Sequence, residues 1–161
     1  MRYAFALLSL IGLFFTAFGQ STEQEERAPD FALKSLSNRT VRLNDYRGKV
    51  VLINFWATWC APCRAETPEL VRWQKQYQDK GLQIIGVTYP PYKPATVSRF
   101  AKNSKINYPV VFDNHKIAGL YSVGEILPVT IIVDRQGMIV GRILGILEPE
   151  EFEEKIKPLL E

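Results

Sequence analysis

The strongest constraint this chain places on its fold is a seven-residue apolar run that leads into its only two cysteines. Val50-Val51-Leu52-Ile53-Asn54-Phe55-Trp56 is β-branched, aliphatic or aromatic at every position but one. A strand buried on both faces reads this way, whereas a half-exposed strand alternates. Trp59-Cys60-Ala61-Pro62-Cys63 follows after Ala57-Thr58, and from Ala61 to Tyr77 the period turns helical, with Leu70, Val71, Trp73 and Tyr77 near helical spacing. Pro68 is expected to kink this helix. Asp79-Lys80-Gly81 ends it, with glycine free to take the left-handed cap.

The flanking segments extend the pattern. Phe31 to Leu36, a turn at Ser37-Asn38-Arg39 and Thr40 to Leu43 read as an N-terminal hairpin. Leu82 to Thr88 is a second buried strand, and Tyr89-Pro90-Pro91-Tyr92-Lys93-Pro94 a stiff loop. Ala95 to Lys102 is read as a helix, Tyr108 to Phe112 as a short strand and His115 to Tyr121 as a short helix. Val129 to Asp134 and Met138 to Leu144 form strands about the turn Arg135-Gln136-Gly137, and a last helix runs from about Glu150 to Leu160. Strands alternating with helices call for an α/β fold with a largely parallel central sheet, to which the late hairpin adds antiparallel strands.

The cysteine placement carries chemistry. A helix starting at Ala61 puts Cys60 at its N-terminus, where free N–H groups and the helix dipole favour a thiolate, the attacking species in disulfide exchange. Cys63 lies one turn further and can reach back to resolve a mixed disulfide. Pro62 fits a first turn, where its missing N–H costs little. A bridge closing so short a loop removes little unfolded-chain entropy, so a purely structural role uses the pair poorly. The residual readings are bland. Arg64, Glu66 and Glu69 read as solvated helix-surface charges, and Trp56 and Trp73 as core. His115, the only histidine, opens a copper- or zinc-handling alternative. The net charge of +3 is spread without a basic cluster, so no nucleic-acid partner is expected. A peroxidatic P-x-x-x-T-x-x-C arrangement is missing: Thr58 stands two residues before Cys60, and no proline precedes it in register. The glycine-rich turns of a nucleotide site are absent as well.

Ala28-Pro29-Asp30-Phe31, the run Arg47 to Cys60, the WCAPC segment, Pro68 and Leu127-Pro128 together resemble thioredoxin-like proteins of the exported TlpA/ResA type, over about residues 28–160. The resemblance implies a thioredoxin fold: a central mixed β-sheet flanked by helices, with an N-terminal β-hairpin extension. It implies a redox-active Cys60–Cys63 disulfide, with Cys60 the exposed nucleophile and Cys63 the buried resolving cysteine. Trp59 shields the pair, Ala61 and Pro62 separate it, and a cis Leu127-Pro128 bond brings backbone close to it. No cofactor and no metal are required, because the cysteines carry the electrons. The implied partners are client proteins with cysteines, such as apocytochrome c, and a membrane electron donor; a monomer is expected. The chain departs from the pattern at Asn54, where cytosolic thioredoxins carry a buried aspartate, and in having no acid at Tyr89-Pro90-Pro91-Tyr92. Glu125, in a loop one residue longer than usual, is the candidate proton acceptor. The rival readings are a disulfide oxidase or isomerase, and a metal-handling module.

The N-terminus reads as an export segment. Met1-Arg2 is followed by an apolar stretch from Tyr3 to Phe18, small residues at Ala17 and Gly19, and a polar run from Ser21. That makes residues 1–19 a signal peptide or, alternatively, a retained membrane anchor, although the stretch falls short of the ~20 residues of a full span. Residues 20–29 read as a linker and 30–161 as the domain, in a periplasmic or other extracytoplasmic location. Cleavage predicts a mature chain beginning at Gln20 by mass spectrometry; a chain starting at Met1 or Arg2 identifies the anchor instead.

Overall fold

A computed structural model describes residues 26–161 apart from His115. The expected signal segment and residues 20–25 lie outside the described residues.

Six strands form one mixed sheet: β1 (Glu26–Arg27), β4 (Val50–Trp56), β5 (Leu82–Thr88), β6 (Val110–Phe112), β7 (Val129–Val133) and β8 (Met138–Leu144), in the order β1-β8-β7-β4-β5-β6. β4, β5 and β6 are parallel, while β7, β8 and β1 add antiparallel strands on the other side. The separate hairpin β2 (Ala32–Lys34) and β3 (Thr40–Arg42) is tied to the β6 edge by a bridge between Ser35 and Val111. The helices are α1 (Ala61–Tyr77), α2 (Pro94–Asn103), α3 (Ile117–Leu120) and the C-terminal pair α4 (Pro149–Glu151) and α5 (Lys157–Leu160), joined by a π-helical turn at Phe152–Ile156. The expected mixed sheet, flanking helices and N-terminal hairpin are all present.

Burial of β4 on both faces organises the core. All seven of its residues are buried. The period of two sends Val50, Leu52, Asn54 and Trp56 to one face and Val51, Ile53 and Phe55 to the other. The first face packs under Leu70, Trp73 and Tyr77 of α1 and under Phe152, Ile156 and Leu160 at the C-terminus. Trp73 stacks on Phe152 with ring centroids 4.3 Å apart. The second face is covered by the hairpin through Phe31, Leu33 and Val41, and by Ile117 and Tyr121. The Tyr121 hydroxyl donates to the Pro29 carbonyl, so the N-terminal segment is fastened to this layer.

Two boundaries differ from the sequence reading. The expected linker gives way by residue 26, because Glu26 and Arg27 pair with Ile139 and Met138 and Ala28 is buried. Helix α1 continues through Pro68, which lies on its exposed side. The short helix begins at Ile117, its first free N–H taken by the Asp113 carboxylate. Gly81 adopts φ +95°, the left-handed conformation expected after the helix. At the end of the sheet remote from the cysteines, the Arg135 guanidinium donates to the carbonyls of Gly48, Lys80 and Leu159, closing the domain on itself.

The stacked Trp73–Phe152 contact is an apolar link between α1 and the C-terminal segment. Trp73→Ala is expected to lower the unfolding free energy by about 3–5 kcal/mol, read by urea denaturation at constant m-value.

Candidate functional site

Parallel pairing carries β4, β5 and β6 to a common C-terminal end, and the cysteines sit there, between β4 and α1. Cys60 is the N-cap of α1 in an extended conformation, and its sulfur accepts the Cys63 N–H at 3.2 Å. The two cysteines form a disulfide with Cα atoms 5.3 Å apart. Cys60 is 6% exposed and Cys63 1%. The expectation of an openly exposed Cys60 is thereby corrected: bonded to Cys63 and turned onto the helix terminus, its sulfur offers only a small accessible face. It remains the more accessible of the pair.

The surroundings come from four segments. Ala61 and Pro62, both exposed, open the helix. Trp59 is 52% exposed and donates its indole N–H to the Pro91 carbonyl at 3.1 Å, which ties the cysteine loop to the loop after β5. The Arg64 guanidinium donates to the Thr58 carbonyl. Pro128 is buried, the Leu127-Pro128 bond is cis, and the Pro128 carbonyl accepts the Gly145 N–H. Sheet register places Phe55 beside Val129 and Val129 beside Leu144, so Pro128 and the end of β8 share the cysteine end of the sheet. Exposed Ile126 and Leu144 add to the apolar rim there. A cavity of about 300 Å³ lined by Thr58, Pro91, Tyr92, Lys93 and Thr96 adjoins the cysteine loop. A larger one of about 480 Å³, between the hairpin and the Asn107–Val110 segment, includes none of these site residues in its lining.

Glu66 overturns the sequence reading. It is not a surface charge but is 2% exposed, whereas Glu69 does lie toward solvent, paired with Arg72. The reason is the helix period. Cys63, Glu66, Thr67, Leu70, Trp73, Gln74 and Tyr77 form one buried stripe of α1, and Glu66 stands one turn beyond Cys63 on it. Its two carboxylate oxygens accept from the Asn54 side-chain amide at 2.7 Å and from the Leu147 backbone N–H at 3.1 Å. The spacing of three from Cys63 and four to Leu70 was the available signal. Burial pushes the Glu66 carboxyl up to about 7, the Asn54 and Leu147 hydrogen bonds work against that rise, and the nearby Glu148 charge adds to it. Buried Tyr108 is also held far above the ordinary phenol range, by burial first and by the Glu66 charge second. Glu125, the acid singled out from the sequence, is exposed in the loop before Leu127.

The raised Glu66 value has a thermodynamic consequence. Between about pH 4.5 and 7 the folded protein retains a proton on Glu66 that the unfolded chain has released. Stability therefore falls as pH rises through that window, by up to about 3 kcal/mol. Glu66→Gln is expected to flatten this slope in denaturant titrations between pH 4.5 and 7.5; an unchanged slope rules out the assignment.

Comparison with known proteins agrees with this architecture. The AhpC/TSA family model matches residues 25–142. The thiol-disulfide oxidoreductase ResA of Geobacillus thermodenitrificans is 35% identical over 168 residues, covering 98% of this chain and 95% of that protein. The thioredoxin-like protein YneN of Bacillus subtilis is 38% identical over 136 residues, 83% of this chain and 79% of its own. Among solved structures, a thiol:disulfide interchange protein of the thioredoxin family from Chlorobium tepidum superposes with a TM-score of 0.79 at 25% identity, covering 86% of this chain and 98% of that one. A secreted thiol-disulfide isomerase from Corynebacterium glutamicum gives 0.76 at 26%, covering 83% and 84%. With a family model spanning most of its length and relatives above 30% identity over nearly all of it, this chain belongs to the AhpC/TSA family and has the thioredoxin fold.

Proposed function

We propose that this thiol–disulfide oxidoreductase works outside the cytoplasm as a reductant, passing two electrons from a Cys60/Cys63 dithiol to disulfides of client proteins, apocytochrome c among them. The observation that carries the exchange chemistry is the stacking of three groups along one helix face: the Cys60 sulfur at the N-cap, Cys63 one turn on and the buried Glu66 carboxyl one turn further.

The reaction follows from that order. In the reduced protein the helix N-terminus favours the Cys60 thiolate. It attacks one sulfur of the client disulfide; a Cys60–client disulfide forms and the other client sulfur leaves as a thiolate. Glu66, ionised, takes the proton of the Cys63 thiol. The Cys63 thiolate then attacks the Cys60 sulfur, the mixed disulfide breaks and the second client thiolate departs. Two electrons have moved to the client, Cys60 and Cys63 are joined, and the proton on Glu66 passes to the thiolates or to solvent. A carboxyl with a value near 7 is matched to that task at neutral pH. Between the two candidate acids we assign the acceptor role to Glu66 rather than to Glu125, because Glu66 shares the buried helix face of Cys63. The apolar rim of Trp59, Ile126 and Leu144, with Leu127 and Pro128, supplies a surface for an extended client segment.

Export rests on the Arg2-led apolar segment 3–18 and on the likeness to a secreted protein, the Corynebacterium glutamicum thiol-disulfide isomerase. The reductive direction rests on the Ala-Pro dipeptide and the TlpA/ResA resemblance, and it requires a membrane-borne dithiol donor to recharge a monomeric protein. The same isomerase relative favours a second reading, disulfide isomerisation.

The test is the reduction potential of the couple, with trapping by single cysteine variants. Equilibration with glutathione or dithiothreitol is expected to give roughly −250 mV or lower. Cys63→Ser is expected to accumulate a mixed disulfide with a model client, and Cys60→Ser to abolish exchange. A potential near roughly −120 mV makes the protein a disulfide donor.

A further inference from the structure

The strand beneath the buried acid carries a residue with no part yet in the chemistry. Asn54 is 1% exposed and lies on the α1 face of β4, in register with Thr130 on β7. Its side-chain amide group donates to the Glu66 carboxylate at 2.7 Å and to the Thr130 hydroxyl oxygen at 3.0 Å. Both amide hydrogens are thus used, and the amide is fixed between strand and helix. An aspartate at position 54 would instead set two carboxyls against each other, able to ionise together only at high cost.

We infer that Asn54 is the positioning residue for proton transfer at this site: held by Thr130, it orients the Glu66 carboxylate and sets how tightly that group holds a proton. The inference rests on Glu66 as the acceptor for Cys63. A donor aimed at the charged form stabilises it, and a neutral amide achieves this in a buried place without adding a second charge. The other groups facing Glu66 are the Leu147 N–H and the Glu148 carboxylate from the segment after β8, the Tyr108 hydroxyl from the segment before β6, and Cys63 on its own helix. Leu147 also donates to the carboxylate, while Glu148 opposes its ionisation. Asn54 is the side-chain donor bonded directly to Glu66 among the described residues.

Two readouts test this. In the reduced protein, the Glu66 carboxyl is titrated by ¹³C NMR, and the rate of mixed-disulfide resolution is followed from pH 5.5 to 9. Asn54→Leu is expected to move the Glu66 titration upward and to slow resolution roughly tenfold at pH 6.5, with the loss shrinking as pH rises. Asn54→Asp keeps the shape and polarity of the site, which guards against a misfolded leucine variant. It is expected to replace the single step by two, from a shared proton. A Glu66 titration that stays in place in both variants overturns the inference. If instead Glu66→Gln leaves the rate profile unchanged while the Glu66 titration still moves in Asn54→Leu, Asn54 tunes the Glu66 carboxyl through their hydrogen bond, and its part in proton transfer falls together with the acceptor reading.

Discussion

Everything at the cysteine end of this protein depends on β4 being covered on both sides. A strand with no solvent face must satisfy its backbone with strands on either side, here parallel β5 and antiparallel β7, and must bury its side chains under two separate layers. The connection from its C-terminal end into α1 is then held in space by the packing of the helix on the α1 face of the sheet. Cys60 falls at the N-cap, where unpaired N–H groups gather. The reactive geometry is a consequence of this packing.

The same packing explains how a carboxyl comes to be buried one helical turn from Cys63. An α-helix laid on a sheet submerges one stripe, and on α1 that stripe includes Glu66 between Cys63 and Leu70. A buried carboxylate without partners is costly. Here the sheet supplies the Asn54 amide and the segment after β8 supplies the Leu147 N–H. Those two donors limit, without cancelling, the rise that burial imposes. The acid thus bridges strand, helix and loop, so its protonation bears on the contact among all three.

Much of the fold was legible in the chain. The two-sided apolar run gave β4, LQIIGVT gave β5, and glycines 81 and 137 marked turns that do require positive φ. The cysteine pair at a helix start was legible for the same reason: its position follows from local order along the chain. Glu66 was not read, although its spacing from Cys63 and Leu70 carried the signal, because a glutamate near a helix start has a cheap default as a solvated charge. The start of the ordered domain was missed as well. Glu26 and Arg27 have no strand-like pattern of their own, and their extended state comes from the β8 edge they pair with.

By itself, the sequence determined what local pattern and spacing can determine: a doubly covered strand, a helix beginning at a cysteine, a second cysteine one turn on and prolines at the helix and before β7. Tertiary structure alone decided which groups face the buried carboxyl and what its proton affinity becomes. Those properties depend on contacts between residues 12, 76 and 81 positions apart, joining Asn54 to Glu66, Asn54 to Thr130 and Glu66 to Leu147. Desolvation and hydrogen bonding act through space, and no period along the chain encodes them.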